Sequence, residues 1–186
     1  MQAMATGLVG HFVAMARNNA WANHRLLSAC EALSPEAFAA PRTGFFPSLR
    51  ATFNHILVVD YYYLDALEDR DALRRYSLPD PDFADGRSMR QAQTASDKRL
   101  IAFCERQTED SVERLCALPR PDRQPPPTRV AAVLEHLFQH QIHHRGQAHA
   151  MLSSTSIKPP QLDEFFLAGE EHLRRDELRA LDLPET

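Results

Sequence analysis

The stretch TRVAAVLEHLFQHQIHHRGQAHAMLS, residues 128–153, decides how this chain is read. Helical spacing through it picks out Val130, Val133, Leu137, His140, His144, Gln147 and Met151. The first three are aliphatic, as the inward stripe of an amphipathic helix should be. The same stripe then turns polar for three steps. An unpartnered imidazole in a core is costly. Residues i and i+4 share one helix face, with Cβ atoms roughly 5–6 Å apart. Two imidazoles so placed can close on one metal ion at about 2.0–2.1 Å each. The stripe therefore points to a metal site inside a helical bundle.

The rest of the chain is compatible with such a bundle. It has 186 residues, enough for one domain with a real core, and 44% hydrophobic residues argue against disorder. The formal charge of −4 argues against a nucleic-acid partner, which would call for a basic surplus. No run reaches the ~18–20 apolar residues of a membrane span. The N-terminal residues lack the basic start and apolar run of a secretory signal. Cys30, Cys104 and Cys116 are odd in number and contain no CxxC pair, so they read as reduced thiols of a cytoplasmic protein.

Apolar spacing predicts a first helix from Ala5 to Leu33, interrupted on its inner stripe by Asn19. Ser34-Pro35 ends it and can start a short turn. Ser48, after Pro47, is placed to cap a second helix running to Asp69, with His55 on its apolar face. Residues 71–87 read as loop. Ser88 and Gln91 have the capping-box form, opening a third helix over 88–116. Five prolines between 119 and 127 make a stiff connector that cannot be helical. Thr128 can cap the fourth long helix. The tail, 161–180, reads as one or two short helices on the bundle, and no segment has a convincing strand period. These elements predict an all-α fold: a four-helix bundle with short extra C-terminal helices, forming a single domain over 1–186.

Of nine histidines, five lie within residues 136–149. Helix geometry alone offers two pairs, His136/His140 and His140/His144. The aliphatic stripe favours His140/His144 and leaves His136 beside the site or at its mouth. An open zinc-type site needs a third protein ligand, and His55, on another helix, is the best candidate. The plainer alternative for each is a core histidine bonded to a carbonyl or carboxylate. Residue 141 is Gln, so the glutamate base of an HExxH protease is absent. No phosphate-binding glycine loop or GxSxG motif occurs.

NNAWANHRLL at 18–27, FNHILVVDYYYLDAL at 53–67, HQIHHRGQAHAML at 140–152 and PPQLDEF at 159–165 together resemble the DinB/YfiT-like metalloenzyme superfamily. The resemblance spans nearly the whole chain. It implies an up-down-down-up four-helix bundle that is often a homodimer. It further implies one divalent metal, zinc or nickel, held by His55, His140 and His144. Relatives include thiol-dependent S-transferases, so the resemblance implies a metal-bound thiolate attacking a small electrophile, with a low-molecular-weight thiol such as glutathione as co-substrate. Metal-dependent hydrolysis by bound water is one alternative. A non-enzymatic, stress-induced dimer with a structural or empty site is another. Asp60, His136 or a tail residue would be the fourth ligand of a structural site. Asn19, Arg145, Gln147 and His136 are the remaining groups for supporting the metal or touching a small-molecule substrate, although Arg145 is expected to face outward or pair with an acid.

Overall fold

The computed structural model describes residues 7–163 and 169–184; the expected helix start at Ala5 and the last residues of the 159–165 motif lie outside them. Four long helices form the body: α1 (Gly7–Cys30), α3 (Leu49–Leu67), α4 (Gly86–Glu105) and α5 (Val130–Leu152), with short α2 (Pro35–Ala39) and α6 (Arg175–Leu181). Among the described residues the fold is all-α apart from one pair of two-residue strands, β1 (Leu115–Cys116) and β2 (Thr128–Arg129).

Cross-helix contacts fix the direction of each helix. Arg17 pairs with Glu105 and Arg90 with Glu31, so α1 and α4 are antiparallel. Arg50 pairs with Asp82, just before α4, and Arg99 with Glu68, so α3 and α4 run the same way. His55 meets His140 and Thr52 meets Met151, so α5 runs against α3. Phe12 stacks near Phe138 while Asn19 meets Arg145, so α1 and α5 are parallel. The order is up-down-down-up. Two consecutive parallel helices require a crossover, and residues 68–85 supply it. Its 3-10 turn, Ala72–Ser77, packs on α3.

The caps follow local chemistry. Ser34 Oγ accepts from Ala37 N–H and Ser48 Oγ from Ala51 N–H. The third long helix starts earlier than expected, because Asp85 is the cap and Ser88 its reciprocal partner three residues on. Gly86 lets this helix start against the end of α1, where an added Cβ would lie 2.8 Å from the Cys30 carbonyl group. The helix also ends at Glu105 rather than 116. Residues 115–116 instead pair with 128–129 as strands, too short to carry a sequence period. That pairing displaces Thr128 from its expected capping role. Val130 N–H donates to the Arg114 carbonyl at 2.9 Å, so backbone just before β1 satisfies a donor at the helix start.

Two apolar clusters fill the bundle. One holds Phe12, Leu64, Phe103 and Leu137, the other Leu26, Phe53, Met89 and Leu152. Between them lies a polar layer to which every long helix contributes. Asn19 and Asn23 come from α1, Asp60 from α3, Gln93 and Asp97 from α4, Gln141 and Arg145 from α5, and all seven are buried. Arg145 donates to Asn19 Oδ1 at 2.6 Å and Asn23 Oδ1 at 3.0 Å. Both asparagine amides donate to Asp97, and the Gln93 amide bridges Asp60 at 2.8 Å and Asp97 at 3.1 Å. Gln141 donates to Asp60. The tail docks on α1 through Leu178 and Leu181 beside Trp21 and Ala22.

Candidate metal centre

His55 projects from α3, and His140 and His144 from α5, one turn apart. Their ring nitrogens lie within 4.8 Å of one another. His140 Nε2 stands 2.9 Å from His55 Nε2. Ligand nitrogens on one ion with bonds of about 2.0–2.1 Å stand about 3 Å apart, so the pair already has the spacing of a shared metal. No other His, Cys, Asp or Glu joins this group among the described residues.

The surroundings keep the imidazoles neutral. Burial, and then the neighbouring His144, pushes His55 down to about 4. Burial, and then the surrounding histidines, pushes His140 down to about 3. His144 is also lowered, chiefly by burial. Neutral imidazoles are what a metal requires of histidine. His144 Nδ1 lies 2.9 Å from Gln147 Oε1; with the proton on Nδ1, the Nε2 lone pair is left free. Gln147 Nε2 lies 3.0 Å from His143 Nε2, which holds the amide in that orientation. His140 Nδ1 is buried and has no hydrogen-bond partner among the described residues. The donor set and its spacing fit a divalent transition metal with coordination positions to spare.

The loop between α2 and α3 covers one side. Phe46 lies 4.4 Å from the His55 ring and 5.5 Å from the His144 ring, centroid to centroid, and shields them. Phe45 is 78% exposed at the edge of the cavity, which has a volume of about 530 Å³. The triad sits in this cavity with His136, Val58, Val59, Tyr62 and Tyr63 in its walls, and Arg75, Tyr76 and Arg120 also line it.

Each expected site residue has a definite place. His136 is a wall residue, its ring 6.3 Å from His140 and 5.2 Å from Tyr63. Gln147 holds His144. Asn19 and Arg145 do not line the cavity. Arg145 does not face outward either; it is buried in the polar layer, bonded to Asn19 and close to Asp97 and Asp60. Asp60 is not in the histidine group, because Gln93 and Gln141 occupy its carboxylate. Tyr61, Tyr62 and Tyr63 include no fully exposed ring: Tyr62 and Tyr63 are buried and Tyr61 lies under Arg75. The three cysteines are buried free thiols, with Cys30 and Cys104 pushed up to about 12 by burial, far from nucleophilic. Sequence reasoning missed Arg120, Arg75 and Tyr76 as wall residues. They lie on connectors whose course no periodicity reveals.

A family model described as the DinB family matches residues 1–176. Among solved structures, the chain is similar to a DinB-like protein from Bacillus subtilis. The two are 17% identical, with a TM-score of 0.54, and the match covers 83% of this chain and 96% of that one. At that identity the likeness speaks to the fold. No curated protein matches. Among the described residues, no helix is long and apolar enough to cross a membrane.

Proposed function

The chain belongs to the DinB family, and from that premise we propose that His55, His140 and His144 hold one divalent transition metal, zinc or nickel, in an enzyme that transfers a small thiol to a small electrophile. The observation that carries this reading is the convergence of three neutral imidazoles from two helices within 4.8 Å in a partly open cavity. A metal there supplies Lewis acidity, lowering the pKa of a thiol or water that reaches it.

The protein's own residues have separate tasks. His55, His140 and His144 offer three lone pairs without adding negative charge. That leaves the ion's charge undiminished and favours anionic ligands such as a thiolate. Gln147 fixes the ring of His144 and holds the proton of its Nδ1 away from the site. Phe46 excludes water from one side of the rings. Val58, Val59, Tyr62 and Tyr63 give the cavity the apolar walls that suit a small organic substrate.

Elemental analysis of protein purified without chelator tests the first half. About one equivalent of zinc or nickel in the wild type, lost in His140→Ala, is the expected result. Consumption of an alkylating electrophile by metal-loaded protein, with and without glutathione, tests the second. Turnover only with the thiol supports transfer, and equal turnover without it would replace transfer by hydrolysis. Metal-free wild type after reconstitution would remove the whole reading.

A further inference from the structure

The cavity has a second chemical end, and it is cationic. Residues 117–127 form a proline-rich loop closed at its base by the β1–β2 pair. Tyr62, one of the cavity walls, donates its hydroxyl to the Pro119 carbonyl at 2.9 Å, fixing the loop just before Arg120. The Arg120 guanidinium lies 4.6 Å from the Tyr62 ring and 5.8 Å from the Tyr76 ring, and it donates to the Tyr76 hydroxyl. With Nη1 on the Tyr76 hydroxyl, the planar guanidinium has its Nε–Nη2 edge left for a two-pronged bond to a carboxylate.

What separates Arg120 from the other arginines nearby is the absence of an acid. Arg75 donates to Asp65 at 2.7 Å, and Arg99 is held by Asp65 and Glu68. Among the described residues, no carboxylate stands within ion-pair distance of Arg120. The same cavity therefore offers a cation with no acid beside it among the described residues, tyrosine and valine walls, and the histidine triad.

We propose that Arg120 is the anchor for a small organic carboxylate whose apolar body lies along Tyr62, Tyr63 and Val59 and whose other end reaches the triad. The reaction at the triad rests on the metal reading, whereas the anchoring does not. One guanidinium matches one negative charge. A phosphate ester, with two charges, would call for further donors, and Arg75, the other arginine of the lining, already has its Nε on Asp65. Cationic ligands are repelled, and sugars would find few partners on these walls. The carboxylate can belong to the thiol or to the electrophile, because both present the same group to Arg120.

Calorimetric titration of the metal-free full chain tests the anchor without interference from carboxylate binding to a metal. The probes are 3-phenylpropionate, its neutral analogue 3-phenylpropionamide, and S-methylglutathione, which keeps the carboxylates of glutathione but has no free thiol. Binding of at least one acid, roughly tenfold or more tighter than the amide, is expected. Arg120→Met should abolish that preference and Arg120→Lys restore part of it, with thermal melting unchanged. Loss of S-methylglutathione binding in Arg120→Met places the anchor on the thiol, and loss of 3-phenylpropionate binding alone places it on the electrophile. Failure of both acids to bind, equal affinity for acid and amide, or unchanged affinity in Arg120→Met would overturn the proposal. His140→Ala separates the two readings: it should lose metal yet keep the Arg120-dependent preference, so either can fail without the other.

Discussion

Gln147 shows how a single side chain governs whether a histidine is usable. Its Oε1 lies against His144 Nδ1 while its Nε2 meets His143, so the amide has one orientation that satisfies both neighbours. Replacing it with leucine leaves the His144 ring free to turn and removes the partner that makes it a better donor. Metal affinity in Gln147→Leu should fall by about 10–100-fold, read by competition with a chromogenic chelator, while the helical circular dichroism stays as in the wild type. Helical spacing put Gln147 on the line of the two histidines, so its proximity was readable from sequence. Its role was not, because the choice between bonding a ligand and bonding His144 depends on rotamers. The third histidine shows the same limit. His55 is on an apolar helix face in any reading, but only the packing of α3 against α5 brings its Nε2 to 2.9 Å from His140.

Helix boundaries were readable where the signal is a side chain and unreadable where it is a backbone partner. Ser34 and Ser48 cap as their positions before a helix predict. Asp85 and Ser88 satisfy each other, so the residue that looked like the cap is the reciprocal member of the box. Thr128 had the right chemistry to cap α5, yet it pairs as a strand residue with Cys116, and the Arg114 carbonyl takes the Val130 N–H instead. Gly86 has the most stringent role at these boundaries. A methyl group there would press on the main chain of Cys30, which cannot retreat as a flexible side chain would. Gly86→Ala should therefore destabilise the protein, by about 1–3 kcal/mol, even though alanine is the better helix former. A chemical denaturation curve decides the sign, and a stabilised variant would mean the α1–α4 approach is looser than the structure shows.

The bundle as a whole is divided by its polar layer, with one arginine and two aspartates buried together among amides. Arg145 balances one carboxylate. Burial, and then repulsion from Asp97, pushes Asp60 up to about 8, while burial pushes Asp97 up to about 6. Arg145→Met strands the asparagine oxygens and leaves Asp97 without its counter-charge. We expect a loss on the order of 3 kcal/mol in urea denaturation. The layer also sets a pH dependence. An acid whose pKa is raised on folding binds protons more tightly in the native state, so stability falls as pH rises through the shifted value. The lowered histidines act in the opposite sense, but only below their unfolded value of 6.5. Between pH 6.5 and about 8, Asp60 dominates. The metal-free wild type should lose stability across that window and Asp60→Asn should lose less, as measured by melting temperature at each end. The sequence showed pieces of this layer, Asn19 as an intruder and Asp60 and Arg145 as residues of unsettled role. Their convergence from four helices was hidden because no spacing rule links positions 19, 60, 97 and 145. The parallel packing of α1 and α5 has a consequence in time as well as in space. Two of the three histidines, their supporting glutamine and the only arginine of the polar layer all arrive on the last long helix. A chain emerging from synthesis holds Asp60 and Asp97 without a counter-ion, and His55 alone, until residue 152 is free. Helix α5 must then pack against α3 and α1, both already made. The docking of α5 and the birth of the site are therefore one event, whose Asn19–Arg145 contact spans 126 residues, and such sequence separation slows folding.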